Sequence, residues 1–256
     1  MNKLKLAKLA KLLEGDFYYN STMRKLYATD ASMYRELPLA VAVPKTKKDI
    51  TKLICFANEE GVSIIPRAAG TSLAGQVVGK GIVVDISQNF CKIIEINKED
   101  AYVIVQPGVI RDELNLKLKE YGLFYGPETS TSNRCMIGGM IGNNSCGSRS
   151  LIYGSAREHL KSIKVILADG KETEFKAIST KVFEEKANGI GTVSALETNI
   201  YKHAKTLFSN QENRTEIEKE FPKKSIPRRN TGYALDLLSD TNPFSNAEEQ
   251  FNFCKL

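Results

Sequence analysis

Pro66-Arg67-Ala68-Ala69-Gly70-Thr71-Ser72-Leu73-Ala74-Gly75 is the stretch on which the reading of this chain turns. It follows directly on Val62–Ile65, an apolar run expected as a β-strand. Ala68, Ala69 and Gly70 are too small to hold a ligand away from the main chain, and Gly70 and Gly75 can adopt φ > 0. Successive N–H groups in such a turn form an anion-binding nest, and the hydroxyls of Thr71 and Ser72 add donors. The same pattern also suits a plain tight connection between two strands, so it needs support from elsewhere in the chain.

Working outward, strands and helices alternate on both sides of this loop. An amphipathic helix is expected over residues 3–13, stopped by Gly15. Leu39–Val43 reads as a strand ended by Pro44. Thr46 to Glu60 reads as a helix, capped by Thr46, closed by Gly61 and buried along Ile50, Leu53, Ile54 and Ala57. Three β-rich runs follow at Ile82–Ile86, Lys92–Ile96 and Tyr102–Gln106. Pro107–Gly108 then turns the chain into a helix bearing Leu114, Leu116 and Leu118. A strand at Ile163–Ala168 returns through Thr173–Phe175 after a turn at Asp169–Gly170. Helix is expected over Ile178–Ala204 and Thr215–Phe221, with a loop over 222–231.

A second stretch poor in bulky side chains lies at residues 126–154, expected as loop. It holds Pro127-Glu128-Thr129-Ser130, then Ile137-Gly138-Gly139-Met140-Ile141-Gly142-Asn143-Asn144-Ser145-Cys146-Gly147-Ser148, then Tyr153-Gly154. Such residues cannot fill a core, but they can lay main-chain donors and acceptors along a flat ligand. Met136, Ile137, Met140 and Ile141 give the stretch interior anchors.

Composition narrows the field. The chain has 256 residues, 42% hydrophobic and 26% charged, which is enough apolar material for a full core. No apolar run approaches the ~18 residues of a membrane span. The N-terminal lysines are interleaved with leucine rather than preceding an apolar run, unlike a signal peptide. The net charge of +6 is dispersed among acids, which argues against nucleic acid as a partner. Cys55, Cys91, Cys135, Cys146 and Cys254 form no C-x-x-C pair, so neither a metal site nor a disulfide scaffold is expected. G-x-G-x-x-G and the ATPase phosphate loop are both absent. His159 and His203 are too few for a histidine-rich metal site and have no nucleophile elbow to serve.

The two glycine-rich segments, with Pro107–Gly108 between them, resemble the FAD-binding domain of the vanillyl-alcohol oxidase (PCMH-type) superfamily. Within it they most resemble the branch of D-lactate dehydrogenase, the glycolate oxidase flavin subunit and D-2-hydroxyglutarate dehydrogenase. The strand at 40–44 and the Val165–Gly170 strand and turn also match, and the resemblance covers about residues 25–175. The tail Arg228-Arg229-Asn230-Thr231-Gly232-Tyr233-Ala234-Leu235-Asp236 is similar to large bacterial members that fuse the flavin domain to an iron–sulfur domain.

The resemblance implies an α+β fold of two α/β subdomains, at 25–97 and 98–256, the second incomplete, after an N-terminal helix at 1–24. It implies that Arg67, Ala68, Ala69, Gly70, Thr71, Ser72 and Leu73, with Gly75 and Gln76, wrap the pyrophosphate of FAD. Pro107 and Gly108 would lie near the cofactor. Pro127, Glu128, Thr129, Ser130, Gly138, Gly139, Gly142, Asn143, Asn144, Gly147 and Ser148 would contact its other parts, closed by Tyr153 and Gly154. Thr71 stands where some relatives carry a flavin-linked histidine, so FAD is expected to be non-covalent. Cys146 stands where serine is frequent, and no base adjoins it.

The implied activity is oxidation of a small D-2-hydroxy acid. The location would be cytoplasmic, with peripheral attachment at the inner membrane left open, and the electron acceptor is unassigned. The family's substrate domain does not occur before Leu256. The chain therefore reads as the N-terminal part of a longer enzyme, with no catalytic residue assignable, no dehydrogenase activity of its own, and any iron–sulfur cluster in a missing C-terminal region. An unfinished second subdomain would leave apolar surface bare near Phe251 and Phe253. Two alternatives stay open: an inert or non-catalytic flavin-binding fragment, and a reductase on the same domain, such as the enolpyruvyl-sugar reductase of wall synthesis.

Overall fold

Ala40-Val41-Ala42-Val43 and Ile82-Val83-Val84-Asp85 are short, β-branched or small, and buried at every position, the pattern of strands covered on both faces. In the computed structural model, which describes residues 3–226, 228, 229 and 232–256, these runs are strands β2 (Ala40–Val43) and β4 (Ile82–Asp85). With β1 (Asp16–Tyr18) and β3 (Ile64–Arg67) they form a sheet of order β1-β2-β4-β3. β2, β4 and β3 run parallel, with Ala40 opposite Ile82 and Ile64 opposite Ile82, and β1 is antiparallel to β2. Helices α1 (Lys3–Leu12) and α3 (Lys47–Glu60) contribute Leu9 and Leu53 to a core with Ala40, Ala42, Ile82 and Val84.

α3 keeps its expected ends, but of the expected stripe only Leu53 and Ala57 are buried, Ile50 and Ile54 being half-buried. Thr46 caps it in a box with Asp49, and Gly61 ends it at φ 62°. Asp49 does more than cap. Fully buried, its carboxylate accepts from the main-chain N–H groups of Glu14, Gly15, Lys45 and Thr46 at 2.9–3.3 Å, tying the α1–β1 and β2–α3 connections together. β3 runs two residues past the expected Val62–Ile65, through Pro66 to Arg67. A proline is tolerated there because β3 is an edge strand.

A second core in the same region gathers Val109, Leu114, Leu118, Ile137 and Met140. It packs under the hairpin of β5 (Ile93–Asn97) and β6 (Tyr102–Val105), with α4 (Arg111–Lys119) and α5 (Ile137–Gly142) supplying the helical side. The expected loop at 126–154 thus contains one short helix, α5, and a second, α6 (Ser150–Tyr153). β1 and α2 (Ser21–Leu26) were also not foreseen, being too short for periodicity to reveal.

The chain divides into two compact units, Met1–Ser148 and Arg149–Leu256. In the second, β7 (Ser162–Ile166) and β8 (Glu172–Lys176) form the expected hairpin. The helix expected over Ile178–Ala204 is instead two, α7 (Thr180–Ala187) and α8 (Ala195–Ser209). Gly189 and Gly191, at φ 71° and 94°, break it, and Ser194 caps α8 by accepting from Glu197 N at 3.1 Å. α9 (Gln211–Glu220) starts earlier than the expected 215, and α10 (Leu235–Ser239) follows. Asn230 and Thr231 of the tail motif lie outside the described residues.

The expectation of bare apolar surface at Phe251 and Phe253 is corrected. Phe251 is wholly buried and Phe253 half-buried. Both enter an aromatic core in which Phe251 meets Phe183 edge-on at 4.8 Å and Phe253 at 4.7 Å between centroids. The Phe251 carbonyl also accepts from Ile178 N at 3.0 Å.

Candidate functional site

Parallel neighbours need a crossover, usually a helix. Between β3 and β4 the crossover is residues 68–81, the glycine-rich loop itself, with no helix. Among the described residues, the main-chain N–H groups of 68–73 donate to no protein group. They belong to half-buried residues, apart from the exposed Leu73. A half-buried row of free donors is a site for an anion.

Arg67, just before the loop, and Gly70 within it are both tied to the 27–31 segment, Gly70 through its carbonyl, which accepts from Ala31 N at 3.2 Å. Arg67 Nη1 donates to the Thr29 carbonyl at 2.8 Å and its guanidinium lies 5.2 Å from the Tyr27 ring centroid. Tyr27 in turn donates to Asp85 at 2.6 Å. Burial, then that hydrogen bond to Asp85, holds the Tyr27 phenol far above its usual range, so it stays a neutral donor. Gly70 sits at φ 66°, and a Cβ there would lie 2.6 Å from the Arg67 guanidinium. Ser72 Oγ accepts from Ala74 N and Gln76 N, both at 3.4 Å, shaping the turn toward Gly75.

One of the other predicted segments, Gly138–Gly139, meets this loop and Pro107, and the 127–130 and 147–148 stretches meet each other. A Cβ on Gly139 would rest 3.5 Å from the Ala68 methyl, and one on Gly138 would collide with Pro107. Gly138 N donates to the Pro107 carbonyl at 2.8 Å, and Gly108 N to the Phe90 carbonyl at 2.7 Å. Further along, Ser148 donates to Glu128 at 2.9 Å, and a Cβ on Gly147 would lie 2.6 Å from the Glu128 carbonyl oxygen. Gly142 faces open space. Asn143 donates to Ser145 at 3.2 Å, and Asn144 adopts φ 45°, a region a non-glycine residue enters at a cost.

Residues 124–130 have almost no secondary structure of their own, and α4 holds them instead. Arg111 donates to the carbonyls of Pro127 and Tyr125 at 3.1 and 3.3 Å. Asn115 both accepts from Tyr125 N at 2.6 Å and donates to its carbonyl at 3.2 Å. Thr129 donates to Cys135 Sγ at 3.3 Å. Sequence reading passed over Arg111, Asn115, Tyr27 and Asp85. One signal was available: Arg111 puts a cation in the first turn of a helix, against the helix dipole.

Tyr153 and Gly154 belong to the second unit. There, Arg149 lies over the Tyr153 ring at 5.7 Å, and Gly154 turns at φ 67° beside the Glu158 carboxylate, which accepts from Ser155 N at 2.5 Å. His159 Nε2 lies 2.6 Å from the Tyr153 carbonyl oxygen, and His203 is exposed on α8. Burial pushes the Cys254 thiol up to about 11, which keeps it protonated and unreactive. Among the described residues no group of three His, Cys, Asp or Glu could hold a metal, and no helix is long and apolar enough to cross a membrane.

Free amides beside closely apposed, side-chain-poor backbones fit a flat ligand carrying a phosphate anion, as a flavin dinucleotide does. Known proteins agree. The chain is 36% identical over 247 residues to D-2-hydroxyglutarate dehydrogenase of Haemophilus influenzae, covering 95% of this chain and 23% of that protein. It is 36% identical over 149 residues to glycolate oxidase subunit GlcD of Bacillus subtilis, covering 57% of this chain and 32% of that one. It therefore spans under a quarter of the first relative and about a third of the second. Among solved structures, alkyldihydroxyacetonephosphate synthase superposes with a TM-score of 0.60 at 17% identity, over 68% of this chain and 34% of that one. The fold is the PCMH-type flavoprotein fold. Residues 38–176 match the FAD binding domain family, and the chain belongs to it.

Proposed function

We propose that this chain is the FAD-binding part of a flavin-dependent oxidoreductase that oxidises a D-2-hydroxy acid, of the 2-hydroxyglutarate, lactate or glycolate type, to its 2-oxo acid. The observation that carries the reading is the convergence of Ala68, Pro107, Gly138 and Gly139 beside the free amides of residues 68–73. Those amides bind the pyrophosphate, with Thr71 and Ser72 as added donors and Gly75 and Gln76 closing the turn. Pro107–Gly108, Pro127–Ser130 and the Gly138–Ser148 stretch line the rest of the cofactor. In this reading residues 25–97 and 98–256 are the two FAD-binding subdomains.

Bound FAD supplies an acceptor for the hydride leaving the substrate's α-carbon. The chain's own residues bind and orient it and assign no proton to a base of their own. Thr71 stands where some relatives carry a flavin-linked histidine, and on that ground the cofactor is taken as non-covalent. An iron–sulfur cluster, where the protein has one, is held by residues outside this chain. The reading assigns the protein to the cytoplasm, in keeping with five cysteines free of disulfides.

The test is denaturation of protein expressed from its complete reading frame. FAD should appear in the supernatant. Flavin that stays on the precipitated polypeptide would overturn the non-covalent assignment, and protein purified without any flavin would overturn the cofactor reading.

A further inference from the structure

We infer that Arg111, with Asn115 one turn along α4, is a positioning residue that sets the flavin-facing segment Pro127–Ser130. The inference rests on the proposed function above and deepens it. A segment without its own ladder has no means of fixing its carbonyls to within the fraction of an ångström that an oriented cofactor needs. Ser148 and Cys135 hold the side chains of Glu128 and Thr129, and α4 fixes the main chain at the start of the segment. Arg111 and Asn115 make four hydrogen bonds, at 2.6–3.3 Å, to the main chain of Tyr125 and Pro127. Arg111 N also donates to the Cys135 carbonyl at 3.0 Å, and Asp112 N to the Ser132 carbonyl at 3.2 Å. The far end of the segment is thereby fixed to the same helix.

The choice of residue is informative. A cation in the first turn of a helix opposes the dipole, and burying it adds a desolvation cost. Arg111 is 9% exposed and offsets that cost through Asp112, whose carboxylate lies 2.8 Å from Nη1. Holding α4 against the core does not require this arrangement, because Leu114 and Leu118 already do so. A planar fork that reaches the carbonyls of Tyr125 and Pro127 at once does require arginine. A local conflict kept at some expense marks a functional demand.

The test uses protein expressed from its complete reading frame, with FAD affinity measured by fluorescence titration of the stripped protein alongside the flavin absorption spectrum and reduction potential. Arg111→Met should weaken FAD binding by about tenfold to a hundredfold, the loss of one or two buried hydrogen-bonded contacts. It should also shift the flavin spectrum, and Arg111→Lys should restore part of both. Asn115→Asp keeps the acceptor for Tyr125 N but loses the donor, so it should give a smaller shift in the same direction. A fall in melting temperature with affinity, spectrum and potential unchanged would overturn the inference and leave a structural role only. Where Arg111→Met does not fold, Asn115→Asp decides: an unchanged spectrum and affinity overturn the inference, a shift supports it. A wild-type protein that takes up no FAD would instead defeat the functional reading on which the inference stands.

Discussion

The two units solve the problem of stability with different materials. In Met1–Ser148 the central strands are Ala, Val and Ile apart from Asp85 at the end of β4, all of them buried, and the loops at their ends are short of side chains. In Arg149–Leu256 the hairpin of β7 and β8 is half exposed, and the core is aromatic: Phe183, Tyr201, Phe208, Phe244 and Phe251. A sheet of small residues lets backbones approach one another, which a site built from main-chain groups requires. Bulky rings do the opposite. They fill volume with few residues and leave the main chain far apart. The first unit therefore carries most of the candidate cofactor contacts, and polar side chains such as Asp49 and Arg111 do the holding that rings do in the second.

The largest effect expected from this contrast is in the aromatic core. Phe251→Ala removes a fully buried ring that meets Phe183, Phe244 and Phe253, and should cost about 3–5 kcal/mol. Denaturant unfolding followed by limited proteolysis should find new cleavage within 149–256. Cleavage confined to the first unit would break the contrast.

Next comes Asp49, the polar counterpart. Burial alone would raise its pKa, but the amides of Glu14, Lys45, Gly15 and Thr46 outweigh burial and hold it below the usual carboxylate range. A depressed pKa gives stability that is complete above the unfolded value of about 3.9 and is lost as pH falls toward the folded one. Asp49→Asn should cost about 1.5–3 kcal/mol at neutral pH. The gap to wild type, read from urea midpoints, should close between about pH 5 and pH 2. A gap constant across that range would mean that the carboxylate's charge contributes nothing.

The smallest effects sharpen the comparison within the site. Gly138→Ala drives a methyl into Pro107 and should cost about 1–3 kcal/mol. Gly142→Ala enters open space and should leave stability within about 0.5 kcal/mol of wild type. If the cofactor lies along this face, Gly142→Ala should nonetheless weaken FAD binding. Unchanged affinity, measured by fluorescence titration, would remove Gly142 from the set of contacts.

Much of this was legible in the residues. The Thr46 cap, the Gly61 stop, the buried strands and the Asp169–Gly170 hairpin follow from local chemistry, and each falls within a residue or two of expectation. The glycine motifs also marked the close approaches of Gly139 to Ala68 and of Gly138 to Pro107. What escaped was of two kinds. Elements of three to six residues, such as β1, α2 and α5, are too short to show a period and owe their form to tertiary contacts. The supporting side chains escaped because Arg111 and Asn115 act on residues 10 to 16 positions away, a distance at which pattern says nothing. The helix break at Gly189 was readable and was missed, because the apolar period resumes on both sides of it.

The helix-free crossover between β3 and β4 also has a kinetic consequence. Amides with no acceptor in the protein exchange with solvent hydrogen without any opening event, whereas those of β2 and β4 wait for the sheet to come apart. Residues 68–73 should therefore lose their label within the dead time of an exchange experiment when the loop is empty. They should become slow only when an anion occupies them. If the loop binds the cofactor as proposed, it is thus also a recorder, and occupancy could be read from six adjacent amides with no turnover, no substrate and no knowledge of the electron acceptor.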